Sequence, residues 1–481
     1  MVGNTAPYTI DDWTEDIKLA SEAGIDAFAL NIGTDSWETD QVKNAYDAAE
    51  KSGTGFKMFI SLDMTVMPCT TADNAKTLRD TVTTFANHTA QFKYNGKAFV
   101  STFSGEKCTF GQSSVAEGWA SQFKNQLQDS VFFVPSFFGD PSTLNTYQDA
   151  IDGEYSWNSA WPVNVTTSNL DSVLSSKGGT SESIVNSTSS PLITQFGKAV
   201  QNVTESLSYD QAYINALNAM GNKLYMAAVS PWFFTHYSPQ TFNKNFIYLS
   251  DQLYPSRWQT VIKDRENFPM VEIITWNDYG ESHYIGPIKG SQPNSQEWVD
   301  GFDHTAWLDL TKYFTKAYKG NGTIEVDQDK IYVWARPHSK NATATSDSVG
   351  KPENADIMED ALFAVVLAKS EAVVTLSTSS NNKTVTVPPG LTQLSLPLNP
   401  GDTIKAVLSR DNSTIVQLSP GNFTFEANPK TYNFNAFCAM ADSSGNTTIS
   451  TPESGNATST STTQPTQLST SSSGIPTSSS T

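Results

Sequence analysis

Two carboxylic acids, a histidine and three aromatics crowd into nine residues of this chain: Trp276, Asn277, Asp278, Tyr279, Gly280, Glu281, Ser282, His283 and Tyr284. An apolar run from Met270 to Ile274 leads into them, so they stand where a buried strand ends. Asp278 and Glu281 are three residues apart, with Gly280 between them to permit an unusual turn. Two carboxyl groups on one strand–loop junction suit general acid and general base work. Cleavage of a glycosidic bond uses such a pair, ~5–5.5 Å apart for retention of configuration and ~6.5–9.5 Å apart for inversion. The sequence spacing allows either. A solvated acidic loop would carry the same two acids, so the pair needs support from its surroundings.

The aromatics give that support. Trp157, Trp161, Trp232, Phe233, Trp276, Tyr279 and Tyr284 all fall at strand ends, where core packing does not require them. Sugar rings have apolar faces that stack on indole and polar rims that need Asn, Asp, His and Tyr partners. An aromatic there can also be a core plug beneath a loop, and about half of these are expected to be. His236 and His283 read as hydrogen-bonding partners of a substrate or a carboxylate rather than as metal ligands. No HExxH, phosphate loop or Gly-x-Ser-x-Gly occurs, so no metal and no cofactor is expected.

The elements that must position these residues alternate over 1–310. Strand-like apolar runs cover 26–32, 56–63, 97–103, 131–136, 151–157, 224–229 and 270–275. Near-continuous runs of this kind belong to a parallel sheet buried on both faces. Helical stripes lie between them, at Asp11 to Ala23, Gln41 to Ser52, Leu78-Val82-Phe85 and Ser208 to Met220; glycines at 24, 53 and 221 stop three of them. With Met1 to Asn4 as the end of a further strand, the count reaches eight. The expected fold is therefore α/β, a (β/α)8 barrel whose first strand is truncated. Such a barrel clusters its functional residues after the strands, and Asn4, Asn31, Asp63, Glu106, Asp140, Asp152, Glu154, Trp232, His236, Asp278 and Glu281 fall there.

From about 325 to 435 the texture becomes short strands separated by turns such as Pro388-Pro389-Gly390, the signature of an all-β sandwich. Its expected strands include 330–335, 361–367, 372–376, 383–387, 391–398, 403–408, 414–418 and 422–426. Beyond about 442 the chain is nearly all Ser, Thr, Gly, Pro and Asn and cannot bury enough to fold. The expected domains are a catalytic barrel over 1–320, a β-sandwich over 321–441 and a disordered Ser/Thr-rich tail over 442–481.

A net charge of −19 argues against a nucleic-acid partner. No run approaches the ~20 apolar residues of a membrane span. Eleven Asn-x-Ser/Thr sequons point to secretion, yet Met1 leads directly into Val2-Gly3-Asn4 with no signal peptide, so a missing N-terminus is expected. Cys69 and Cys108 fall in loops after neighbouring strands and could form a disulfide; two buried thiols are the alternative. Cys438 is left over.

Seven stretches carry a resemblance: MVGNTAPYTIDDW (1–13), DIKLASEAGIDAFALNIG (16–33), FISLDM (59–64), STFSGE (101–106), DGEYSWNSAWP (152–162), AAVSPWFFTHY (227–237) and ITWNDYGESHYIGP (274–287). In these the chain resembles the fungal α-1,3-glucanases, or mutanases, of glycoside hydrolase family 71. The resemblance implies endo-hydrolysis of α-1,3-glucan, a fungal cell-wall polymer, by an inverting mechanism on a (β/α)8 barrel followed by a β-sandwich. It implies Asp278 and Glu281 as the acidic pair. We read Glu281 as the acid and Asp278 as the base, with Asp63, Glu106, Asp152, Trp157, Trp232, His236, Trp276, Asn277, His283 and Tyr284 lining the substrate sites. A monomer secreted to the wall is expected. The alternatives are a glucan-binding wall protein without activity and a related barrel glycosidase acting on another α-glycan.

Overall fold

The computed structural model describes residues 1–161, 165–169, 172, 206–322 and 324–452. The apolar runs of the first part are strands β1 (Ala27–Ile32), β2 (Lys57–Asp63), β3 (Lys93–Tyr94), β4 (Lys97–Phe103), β5 (Val131–Ser136), β6 (Gly153–Tyr155), β7 (Leu224–Val229), β8 (Phe234–His236), β9 (Asn245–Ile247) and β10 (Met270–Ile273). β1, β2, β4 and β5 pair in parallel in that order, and β3 folds back on β4. β6, β7 and β10 form a second parallel sheet, and β8 and β9 a hairpin. The Asp152 amide donates to the Phe133 carbonyl and joins the start of β6 to β5. This is a mixed α/β fold built on parallel strands.

The strands read as continuous apolar runs because both faces are covered. Phe59, Phe99, Phe132, Tyr155 and Met226, from five strands, share one core cluster on one face. Their neighbours Met58, Ile60, Val100, Phe133, Tyr225 and Ala227 pack on the helices instead. Alternation along each strand thus divides one apolar run between two cores. The helices are α1 (Ile10–Glu22), α2 (Glu38–Ser52), α3 (Ala72–Phe85), α4 (Ser208–Ala219), α5 (Leu253–Lys263) and α6 (Thr305–Lys319). Capping boxes fix the starts of two: Thr9 with Asp12 for α1, and Thr71 with Asn74 for α3. Gly53, left-handed at φ 69°, ends α2.

The opening residues are not a strand end. Val2–Thr5 is a 3₁₀ turn, because the Asn4 side chain donates to the Asn277 carbonyl and the Thr5 hydroxyl turns back onto the Val2 carbonyl.

The second part holds β11 (Lys330–Ala335), β12 (Ala361–Ala368), β13 (Ala372–Thr378), β14 (Asn382–Val387), β15 (Gly390–Pro397), β16 (Ile404–Arg410), β17 (Ser413–Leu418), β18 (Phe437–Asp442) and β19 (Thr447–Ile449). They make two antiparallel sheets, β15-β12-β11-β18-β19 and β14-β13-β16-β17, that share one apolar cluster. The stretch expected as a strand at 422–426 makes only an isolated bridge from Glu426 to His338; Phe423 and Phe425 fill the core without a ladder partner. β18 and β19 went unexpected, and β19 lies beyond 442, where the tail was expected to begin. The outer face of β11, β12 and β18 presents Trp334, Phe363 and Cys438 to the cluster that contains Trp307 and Phe314 of α6, so the two parts share a core. Among the described residues no helix is long and apolar enough to cross a membrane.

Candidate active site

After β10 the chain passes a cis peptide between Ile274 and Thr275 and enters the 3₁₀ turn Tyr279–Glu281. The Asp278 amide donates to Thr275 Oγ1 at 2.8 Å, which fixes the turn's entry. Gly280 serves close approach rather than an unusual φ: a Cβ there would sit 1.9 Å from Tyr237 Oη. Ser282 takes the left-handed conformation instead, with φ 60°.

This turn aims Asp278 and Glu281 at the same imidazole. His283 Nε2 lies 3.1 Å from Asp278 Oδ2 and 3.4 Å from Glu281 Oε2. Lys244, from the β8–β9 hairpin, puts its ammonium 2.8 Å from Glu281 Oε1. One atom from each of Asp278, Glu281 and His283 lies within 4.8 Å of the others, close enough to surround a cation; the countercharge present there is Lys244. Burial alone would raise the Asp278 carboxyl, but hydrogen bonding and charge from His283 outweigh it and hold Asp278 below the ordinary aspartate value. Burial also works against a charged Lys244, yet Glu281, Asp278 and Asp63 together raise it above the ordinary lysine value, so it stays an ammonium.

A cavity of about 400 Å³ opens on the acids. Asp63, Trp157, Lys244, Trp276 and Asn277 line it with Asp278 and Glu281. Burial pushes Asp63 up, against hydrogen bonds from Thr65 and the charge of Lys244. Trp157 packs edge-on to Phe103, with ring centroids 4.9 Å apart, and stands 6.1 Å from the His283 ring. Trp276 is anchored by its indole N–H on Asp16, at 3.0 Å. Asn277 accepts from the Met1 amino group at 2.7 Å and donates to the Met1 carbonyl at 3.0 Å.

Five residues singled out in the sequence sit elsewhere. Glu106 does not line the cavity; it accepts from Ser104 Oγ at 2.8 Å. Asp152 lies at the start of β6, where it accepts from the Phe133 amide and pairs with Lys124. Trp232 is wholly buried and donates to the Phe434 carbonyl. His236 bridges Asn245 (2.7 Å) and Asp347 (2.8 Å), joining the hairpin to the second part of the chain. Tyr284 stacks on His304 at 4.0 Å and donates to the Phe302 carbonyl. Cys69 and Cys108 are bonded, their Cα atoms 5.0 Å apart, and Cys438 is buried and free. Lys244 was missed; its one signal was a lone charge in the aromatic run Phe242-Asn-Lys-Asn-Phe-Ile-Tyr248.

Two carboxyls steered by a lysine and a histidine, at the mouth of a tryptophan-lined cavity, suit proton transfer to and from a bond between sugars. The class this defines is the glycoside hydrolases. Within it the chain belongs to glycosyl hydrolase family 71, whose family model matches residues 1–450. A glucan endo-1,3-alpha-glucosidase of Schizosaccharomyces pombe is 38% identical over 446 residues, 92% of this chain and 93% of its own. An ascus wall endo-1,3-alpha-glucanase of the same organism is 36% identical, covering 78% of this chain and 79% of its own. A mutanase of Penicillium rubens is 32% identical, covering 91% and 86%.

Proposed function

We propose that this chain hydrolyses α-1,3-glucan at internal bonds, with Asp278 and Glu281 as its acid–base pair. The observation that carries the proposal is the meeting of these two cavity-lining carboxyls at one histidine, with the Lys244 ammonium on Glu281. The names of two of the relatives supply the substrate. Asp278, kept ionised by His283, is the base that takes a proton from water. Glu281 is the acid that protonates the departing oxygen. Asp63, Trp157, Trp276 and Asn277 hold sugar units in the cavity, with the indoles stacking on ring faces. The seven parallel strands act as a barrel around the cluster that contains Phe59, Phe99 and Met226, and the two antiparallel sheets as a sandwich that braces it. The enzyme works outside the cell or at its wall as a monomer.

Inversion is the outcome the family resemblance implies. One oxygen of Asp278 and one of Glu281 lie within 4.8 Å of each other, a nearest approach that fits carboxyl groups at either separation. Retention is therefore the second reading. The anomer first released, read by NMR, decides between them.

The test of function is to incubate the protein with insoluble α-1,3-glucan, and with starch and β-1,3-glucan as controls, following reducing ends. Release from α-1,3-glucan alone is expected. Binding without release would replace the proposal with a glucan-binding protein, and release from starch would assign another α-glycan.

A further inference from the structure

A lysine inside a protein is costly unless its charge is met. Lys244 is 6% exposed, in a stretch whose neighbours Phe242, Phe246 and Tyr248 are aromatic. Its backbone is pinned on both sides. The Tyr237 amide donates to the Lys244 carbonyl, and Asn245 is held by His236 and by Glu353, whose amide donates to the Asn245 carbonyl at 3.0 Å. Asp347 holds the other nitrogen of His236, so a loop from the second part of the chain clamps the hairpin that delivers the ammonium.

An ammonium has only donors, so Glu281 Oε1, at 2.8 Å from it, accepts. An oxygen that accepts from an ammonium is the poorer carrier of a proton, which favours Oε2, 3.4 Å from His283 Nε2, as the protonated oxygen of Glu281. The groups facing this pair are the carboxylates of Asp278 and Asp63, the imidazole of His283, the Tyr237 hydroxyl and, behind Asn277, the Met1 amino group.

We propose that Lys244 is a positioning residue for Glu281: it occupies Oε1, directs the catalytic proton to Oε2, and sets the upper pH at which Glu281 can deliver it. This rests on the reading of Glu281 as the general acid of α-1,3-glucan hydrolysis. Removing a positive charge so close to an acid stabilises the acid's neutral form, by about one pH unit for a partly screened pair.

The experiment is a pH–rate series on soluble α-1,3-glucan oligomers for wild type, K244M, K244Q and K244R. For K244M and K244Q the expected result is kcat about ten-fold lower or worse, KM within about three-fold, and the basic limb of kcat/KM displaced upward by about one pH unit. K244R, which keeps the charge, is expected to keep the wild-type limb. A neutral variant that loses rate while its basic limb stays in place reduces Lys244 to packing and overturns the proposal. Where one neutral variant fails to fold, the other decides on the same readout: a displaced limb supports the proposal and an unmoved limb overturns it. A wild type without hydrolysis would sink the reading of function instead, and the two failures are thereby distinct.

Discussion

Two of the buried ion pairs in the α/β part are built to opposite specifications. Arg257 of α5 and Asp210 of α4 meet through two parallel contacts of 2.8 and 2.7 Å, with no exposure on either side. Arg257 Nε donates to the Ala228 carbonyl and the Tyr225 hydroxyl to Asp210, so α4, α5 and β7 converge on a charge with nothing left over. Lys244 meets Glu281 Oε1 at 2.8 Å, and one step away Asp278 keeps 14% exposure at a cavity. His283 stands between both acids, with both of its ring nitrogens buried. The first charge is enclosed on every side; the second has a side open to the cavity, as the proposed proton transfer requires.

The sharpest way to break this contrast is to neutralise each pair. Glu281→Gln and Asp278→Asn are expected to cut hydrolysis of α-1,3-glucan by about 10³-fold or more while leaving glucan binding largely intact. Reducing-end assays beside a pull-down on insoluble glucan read both. Near-normal turnover in either variant would remove that residue from the acid–base pair. Arg257→Met should do the reverse. It strands the Asp210 carboxylate without countercharge and should cost about 3–5 kcal/mol in urea unfolding, with kcat of the folded fraction kept. If that variant lost rate but not stability, the division between the two pairs would collapse.

Between these extremes lie single buried acids. Burial pushes Glu38, Asp251 and Glu272 each up to about 7. Their folded values stand above their unfolded ones, so the stability they contribute is fully present at low pH and is lost as pH rises through about 7. Asp278 and Asp347 are shifted the other way; their contribution is present above the unfolded aspartate value and is lost only as pH falls through their lowered folded values. Over pH 5 to 8 the first set governs, and the melting temperature should be roughly 4 °C or more higher at pH 5. Equal melting at the two pH values would mean that these acids are not buried as described.

What the sequence disclosed follows the same line between local and remote causes. The parallel strands were legible because coverage on both faces makes a continuous apolar run, and the helices because an apolar stripe and a glycine or capping box mark them. The acid pair was legible because its members lie three residues apart. What stayed hidden depended on partners far along the chain. Trp232 and Tyr284 stand at strand ends like Trp157, but Phe434 and Phe302 claim their polar tips. His236 is taken by Asp347, which arrives from the second part of the chain. Asp152 was grouped with the strand-end residues although its expected strand ran over 151–157; β6 begins at Gly153, which leaves Asp152 in front of it. β18 follows an Asn-rich, proline-marked stretch that disguised it as the approach to the tail, yet it pairs with β11 along all six of its residues.

An exposed pair completes the contrast and carries the smallest effect. Lys43 and Asp47 sit one turn apart on α2, 2.7 Å from each other, with the lysine side chain 65% exposed. The hydrogen bond and charge from Lys43 hold Asp47 below the ordinary aspartate value, but water screens that charge and the long lysine gives up rotamer freedom to make the contact. Lys43→Ala should therefore cost about 0.3–0.5 kcal/mol, and less as salt is raised. This contact is as short as those of Arg257, so distance alone predicts similar costs, whereas burial predicts a gap of roughly ten-fold. Urea melts of Lys43→Ala and Arg257→Met at two salt concentrations set the two ideas against each other. A small, salt-sensitive loss for the first and a large, salt-insensitive loss for the second would place the difference in enclosure. Comparable losses would return it to contact geometry, and the proposed role of Glu281 would lose the support of a pair left partly open.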